Sequence, residues 1–296
     1  MKILIFIDHD IIIRHFIHSK VFETLSASHD VKFIFPDGDQ KRVTTDVEAL
    51  KLGGKHAFLA PKQPRLRQWK NLFVADTLRW RYGKQFSSLR TFRRAMIGPK
   101  ATLLFSFLSL PGIYTIYKYI TLNKINAIPN KELQELIDIE NPDVIIHPSV
   151  LDGVFINDLV ITCQNENIPL VVIMNSWDNP STKKSVIGLP DWLLVWGEQT
   201  NIHAQKFMNM PSDRIVNFGA AQFDLFRHPP RISRDEFCIR HDLDPTSQIL
   251  LYAGSSKETN EFEHLRSIDN AIDSGILGHT KVVYRPHPWG GGGEWR

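Results

Sequence analysis

Lys2-Ile3-Leu4-Ile5-Phe6-Ile7 opens the chain and runs into Asp8-His9-Asp10; Val31-Lys32-Phe33-Ile34-Phe35 follows and is closed by Pro36-Asp37-Gly38. Both apolar runs are short, nearly unbroken and ended by polar or turn-forming residues. That is the pattern of strands buried on both faces of a parallel sheet. Between them, residues 11–26 place Ile12, Phe16, Val21 and Leu25 near helical spacing, which predicts one helix. Strand, helix, strand is a Rossmann-type opening, here without a Gly-x-Gly-x-x-Gly loop.

Working outward, the alternation continues. Strands are predicted over 143–147, 169–174, 192–196 and 214–218, and helices over 131–139 (capped by Asn130), 153–164 and 200–208. This is an α/β chain with a mainly parallel sheet. Residues 222–247, rich in Pro, Arg and Asp, read as a linker. Beyond it, Ile249-Leu250-Leu251-Tyr252-Ala253-Gly254-Ser255-Ser256, a helical stretch and Val282-Val283-Tyr284-Arg285-Pro286-His287-Pro288 form a second strand–helix–strand unit. The expected organisation is a complete Rossmann-type domain over 1–221, a linker, and the first strand–helix–strand of a truncated second Rossmann domain over 248–296.

The 296 residues suffice for two cores, and 43% hydrophobic with 23% charged residues is ordinary for a globular protein. Charge is unevenly spread. Residues 62–100 hold eleven basic side chains against one acid, Asp76, giving that segment +10 within a chain whose net charge is +3. Residues 101–122, which follow, are apolar with Lys118 as the only charge. Residues 62–122 therefore read as a helical insertion. A solvated or buried helical layer and a hairpin docked on an anionic membrane surface are both consistent with it; a nucleic-acid partner is the less favoured reading. Two unrelated cysteines, Cys163 and Cys238, exclude a disulfide scaffold and fit a reducing cytoplasm. No signal-peptide pattern opens the sequence.

In parallel α/β sheets ligands sit at the carboxyl ends of the strands. The candidates are thus Asp8, His9, Asp10 and Arg14 after the first strand, and Asn175, Ser176, Trp177, Asp178, Asn179, Thr182 and Lys183 after Met174. Gly197 and Glu198 follow the strand at 192–196, and Gly219, Gln222 and Asp224 follow that at 214–218. Asp178 could take a proton from a hydroxyl, or could bond its own backbone in a turn before Pro180; both readings stand. The Asp8-His9-Asp10 cluster has no second ligand cluster to complete a metal site, which favours hydrogen-bonding or acid–base work and no metal. In the second unit, Gly254, Ser255 and Ser256 offer free N–H groups and hydroxyls for a phosphate, with Arg285 and His287 as charged or proton-bearing partners.

Taken in order along the whole chain, these motifs resemble the GT-B glycosyltransferases that build bacterial capsule and lipopolysaccharide. The likeness rests on His9-Asp10 with Arg14, Ser176-Trp177-Asp178-Asn179-Pro180 with Thr182-Lys183, and Asp191-Trp192-Leu193-Leu194-Val195-Trp196-Gly197-Glu198. It also includes Gly219-Ala220-Ala221-Gln222-Phe223-Asp224, Tyr252-Ala253-Gly254-Ser255-Ser256 and Arg285-Pro286-His287-Pro288. Similar second-domain openings occur in polyol-phosphate transferases and sugar-nucleotide epimerases. The resemblance implies a GT-B-like fold, a nucleotide-sugar donor as substrate without other cofactor, and a glycan or lipid-linked acceptor. It implies Asp178 as base with His9 as rival, and Gly254, Ser255, Ser256, Arg285 and His287 on the donor. Asp10, Arg14, Asn175, Ser176, Trp177, Asn179, Lys183, Glu198, Gln222 and Asp224 fall on the acceptor side. It places the protein in the cytoplasm, peripheral at the inner face of the bacterial membrane. The alternatives are a polyol-phosphate transferase or sugar-nucleotide epimerase, and a non-catalytic acceptor-binding or membrane-docking module.

Overall fold

The computed structural model describes residues 1–38, 43–53, 55–79, 87–255 and 259–287. The chain divides into two compact units, Met1–Arg227 and His228–Arg296.

The strands of the first unit are β1 (Lys2–Phe6), β2 (Asp30–Pro36), β3 (His56–Leu59), β4 (Val144–Ser149), β5 (Leu170–Met174), β6 (Trp192–Val195) and β7 (Ile215–Asn217). They form one sheet in the order β3-β2-β1-β4-β5-β6-β7, and every pairing is parallel. This is a Rossmann-like α/β fold, with the order reversing between β1 and β4. Alternation along β1 explains why both faces are covered: Leu4 and Phe6 enter one core with Ile34, Ile145 and Leu159, while Ile3, Ile5 and Ile7 enter the other with Ile12, Phe16, Phe33 and Phe35.

The helices of this unit are α1 (Asp10–Ile12), α2 (Glu23–Ser28), α3 (Gln63–Arg79), α4 (Ser87–Leu108), α5 (Ile113–Asn126), α6 (Lys131–Glu140), α7 (Ile156–Glu166), α8 (Asn179–Thr182) and α9 (Glu198–Met208). The single helix expected over 11–26 is not formed. After α1 the backbone widens into a π-helical turn, Ile13–Ile17, and Lys20 takes a left-handed φ of 61° before α2 begins. The apolar spacing marked the buried face correctly but did not register the extra residue of a π turn. Strand β3 was not anticipated, because His56-Ala57-Phe58-Leu59 is too short to show a period. Part of the expected linker belongs to the first unit as a 3-10 segment, Ala221–Arg227.

Among the described residues the insertion forms three helices, α3, α4 and α5, and a buried ion pair ties it to the sheet layer. Asp158 on α7 accepts from Arg65 Nε at 3.0 Å, Arg65 Nη2 at 2.9 Å, Trp69 Nε1 at 2.6 Å and Asn130 Nδ2 at 2.9 Å. Arg65 Nη1 donates to the carbonyls of Ile125 at 2.6 Å and Ile128 at 2.7 Å. A second tie gathers on Asp76, which accepts from the Tyr114 hydroxyl at 2.7 Å and from Lys184 at 3.1 Å. Burial, and then the Asp76 charge, push the Tyr114 phenol far above its usual value. Around these ties Trp69, Leu72, Ala75, Tyr114 and Ile125 make a core of their own.

The outer surface of the insertion is different. Gly98 breaks α4 with a φ of 76°, and the Arg93–Leu108 part of α4 meets α5 at a bend of 102°. Among the described residues no single helix is long and apolar enough to cross a membrane. Leu103, Leu104 and Phe107 on α4, and Ile116, Tyr119 and Ile120 on α5, are all exposed.

The second unit contains α10 (Arg234–Arg240), β8 (Gln248–Ala253), α11 (Glu261–Asp273) and β9 (Thr280–Arg285). Strands β8 and β9 pair in parallel from Gln248↔Thr280 to Ala253↔Arg285.

Asp158→Ala is expected to cost about 3–5 kcal/mol in chemical denaturation, because it strands a buried guanidinium. Glu236→Ala, which removes the partner of a surface pair with Arg240, should leave the midpoint nearly unmoved.

Candidate functional site at the sheet crossover

In a parallel sheet the reversal between β1 and β4 is where strand ends part to receive a ligand, and four groups of residues lie at or near the carboxyl ends of the central strands. The first is buried. Asp8, just past β1, is 1% exposed, and His147 in β4 is fully buried. Asp8 Oδ2 accepts from the backbone N–H of Val154 at 2.9 Å and lies 3.8 Å from His147 Nε2. His147 Nδ1 bonds the Phe6 carbonyl at 2.8 Å, so it carries the proton, and Nε2 points at the carboxylate with no hydrogen-bond partner of its own. Gly153 is dictated by this arrangement: a Cβ there would stand 2.0 Å from Asp8 Oδ2. Nearby, Leu151 is held at a left-handed φ of 59° and its carbonyl accepts from the Ser185 N–H at 2.6 Å. A buried aliphatic residue in that conformation is strained backbone beside a crossover.

The second group is Arg14, His15 and Asn175. The π turn carries Arg14 and His15. His15 Nδ1 donates to Asn175 Oδ1 at 2.7 Å, and Arg14 Nη2 donates to His15 Nε2 at 3.1 Å. Burial, with a further contribution from the Arg14 charge, holds His15 below the usual imidazole value. A neutral His15 thus links the first strand's helix to the end of β5 and orients Arg14. The Ala221–Arg227 segment packs on this turn.

The third group is the loop after β5. Asn179 Oδ1 accepts from the Ser176 N–H at 2.8 Å. Asp178 accepts from Ser176 Oγ at 2.6 Å and Thr182 Oγ1 at 2.8 Å. Both Asp178 oxygens are therefore held by hydroxyls of their own loop, as a structured turn requires, and both keep lone-pair capacity for a further donor. Trp177 projects outward, 49% exposed.

The fourth group borders an open cleft of about 420 Å³, lined by Trp177, Trp196, Gly197, Glu198, Gln199 and Thr200. Trp196 packs edge-on to Phe223 at 5.8 Å, which fixes its plane.

Other candidates are turned elsewhere. Asp10 accepts from the N–H and hydroxyl groups of Thr44 and Thr45 at 2.6–3.1 Å. Burial opposes its charge, but those bonds prevail and hold the carboxyl below its ordinary value. Its work is to pin the chain after β2. His9 caps α1, its Nδ1 accepting from the Ile11 N–H at 3.1 Å; a neutral His9 then carries its proton on Nε2 and can donate there. Asp224 pairs with Arg227 at 3.1 Å. Gln222 is partly buried and Lys183 exposed. Burial, then the Asp191 charge, push the Cys163 thiol up to about 12, and the side chain is buried in the core.

In the second unit the loop after β8 already holds an anion. Glu261, the first residue of α11, accepts from the Ser255 N–H at 2.5 Å and from the Tyr284 hydroxyl. Its carboxylate stands 2.7 Å from where a Cβ on Gly254 would be. Arg285 at the end of β9 is exposed, and Gly254 N donates to its carbonyl at 2.8 Å. Ser256 lies outside the described residues.

Asp8 and His15 could have been weighted more heavily from sequence, as polar residues at or one turn beyond a buried strand. His147 could not, because its strand gives no sign that its ring faces Asp8.

No protein-family profile matches the chain, and a search of curated proteins found no match. Among the described residues no three His, Cys, Asp or Glu side chains converge as metal ligands.

Gly153→Ala is expected to destabilise the protein by about 1–3 kcal/mol through the forced clash. In a cycle with Asp8→Ala the double variant should lose less stability than the sum of the singles, since the methyl then enters vacated space. Additive losses in urea melts would remove Asp8 as the reason for the glycine.

Proposed function

We propose that the protein is a glycosyltransferase of GT-B type, moving a sugar from a nucleotide-sugar donor to an acceptor hydroxyl in surface polysaccharide synthesis. The observation that carries this reading is the pair of indoles, Trp177 and Trp196, on one open cleft with Glu198, next in sequence to the held carboxylate of Asp178. Aromatic faces with nearby carboxylates suit a pyranose, whose C–H face stacks while its hydroxyls donate.

In this reading the first unit takes the acceptor. Trp177 and Trp196 hold the ring, and Arg14, oriented by His15, adds a fixed cation. Asp178 is the base that takes the hydroxyl proton. His9 is the weaker rival, because its capping bond uses the lone pair of Nδ1 and leaves Nε2 protonated. The second unit takes the donor: Arg285 pairs with the diphosphate, and the N–H of Ser255, now bonded to Glu261, is the anion cradle from which a phosphate would displace that carboxylate. Leaving-group charge is stabilised by these donors as the glycosidic bond breaks. A peripheral position at the inner face of a bacterial membrane fits the exposed apolar residues of α4 and α5.

Calorimetry with a panel of nucleoside diphosphates should give saturable heat with one of them. Arg285→Ala should weaken that binding by about ten- to a hundredfold, the range of one charge-assisted bond. Asp178→Asn should keep binding and lower transfer by roughly 10²–10⁴. No heat with any nucleotide would leave a non-catalytic acceptor-binding module as the reading; full activity of the Asp178 variant would remove it as base.

A further inference from the structure

The cleft lined by Trp177 and Trp196 carries one charged side chain, and that charge is unanswered. Glu198 is exposed and has neither a hydrogen bond nor an ion pair among the described residues. The other lining residues, Trp177, Trp196, Gly197, Gln199 and Thr200, are neutral. The basic residues nearest in sequence, Lys183 and Lys206, are not part of the lining; Lys206 lies instead over the Phe207 ring at 5.2 Å. We propose that the cleft selects a sugar whose ring bears a free, protonated amine, its ammonium drawn to the indoles and to Glu198. The inference rests on the glycosyltransferase reading of this cleft and narrows the acceptor to an amino sugar.

Indole is the side-chain ring that attracts a cation best, through the negative face of its π system. Trp177 is 49% exposed, so much of its ring is open to a ligand. Trp196 is set by its edge-on contact with Phe223 at 5.8 Å. The loop that carries Trp177 is held by the bond from the Ser176 N–H to Asn179 Oδ1 at 2.8 Å. Aromatic faces of this kind stack on the C–H face of any pyranose. An ammonium on that ring adds an attraction to the π face that a hydroxyl does not supply.

One group in the cleft opposes a cation. Helix α9 opens at Gly197 with no side-chain cap, and its first N–H groups bring about half a positive charge. Glu198, the first residue of that helix, carries a full negative charge and outweighs it. Asp178, next to Trp177, adds a second carboxylate, and its hydroxyl partners Ser176 and Thr182 bring no countercharge. A uronic acid or a phosphate is therefore repelled from the cleft. A neutral sugar, or one whose amine is acetylated, leaves Glu198 uncompensated.

The test titrates the full chain with glucosamine in mildly acidic buffer, where the amine is protonated, followed by calorimetry and tryptophan fluorescence. Saturable binding is expected, roughly tenfold or more tighter than that of glucose or N-acetylglucosamine. Choline, an ammonium without a ring, should bind more weakly than glucosamine, and inorganic phosphate should not displace the sugar. Trp177→Ala, at a half-exposed position, should weaken glucosamine binding by at least about two- to fivefold, the range of one exposed cation–π contact. Glu198→Gln keeps an acceptor oxygen and drops the charge, so it should shrink the preference for glucosamine over glucose by about two- to fivefold. Equal affinity for glucose would make the cleft a neutral-sugar site; that overturns this inference and leaves the glycosyltransferase reading standing. Absence of binding by every sugar would overturn both. Choline binding as tight as that of glucosamine, displacement by phosphate, or an unchanged preference in the Glu198 variant would each overturn the amino-sugar assignment.

Discussion

The buried pair of Arg65 and Asp158 is the constraint on which the rest of the first unit depends. Both side chains are 5% exposed, and such a pair is tolerable only when nearly every donor and lone pair finds a partner. Here the demand is met from four directions: Trp69, Asn130, and the carbonyls of Ile125 and Ile128. To satisfy one charge pair, α3, the end of α5 and the cap of α6 must all converge on α7. A helical layer that could have stood apart from the sheet is thereby fixed against it.

A second consequence concerns charge. The insertion is strongly basic, yet its only acid, Asp76, is not left in solvent. It is 7% exposed and shared by Tyr114 and Lys184. Internal compensation uses the single carboxylate inward, and the outward surface keeps its positive charge and apolar side chains. Stability and surface character thus come from the same segregation.

At the crossover, strain and burial are spent on the wall of the crevice. Gly153, Leu151 and the Asp8–His147 contact all serve one short loop after β4, and the π turn that replaces a regular helix aims His15 at Asn175. The π turn and the left-handed Leu151 both lie where the two halves of the sheet part, the place at which a parallel α/β fold leaves its strand ends open.

Much of this could be read from the chain alone. Short apolar runs ended by polar residues marked β1, β2 and β4–β7, and the runs are unbroken in β1 past Lys2 and in β5, where a central strand is covered on both faces. The same logic put Asn175–Asn179 and Gly197–Glu198 at strand ends. The sequence by itself determined the α/β class and which residues stand at the strand ends, because these follow from local periodicity and strand-end chemistry. Only the tertiary structure decided which side chains meet. That Asp10 turns to Thr44 and Thr45, that Asp8 lies behind Gly153 against His147, and that Glu261 fills the Gly254–Ser255 loop are contacts set by packing between segments remote in sequence or by a turn's dihedral angles. Side-chain partners are chosen by distance in space, and the one-dimensional pattern carries no term for it.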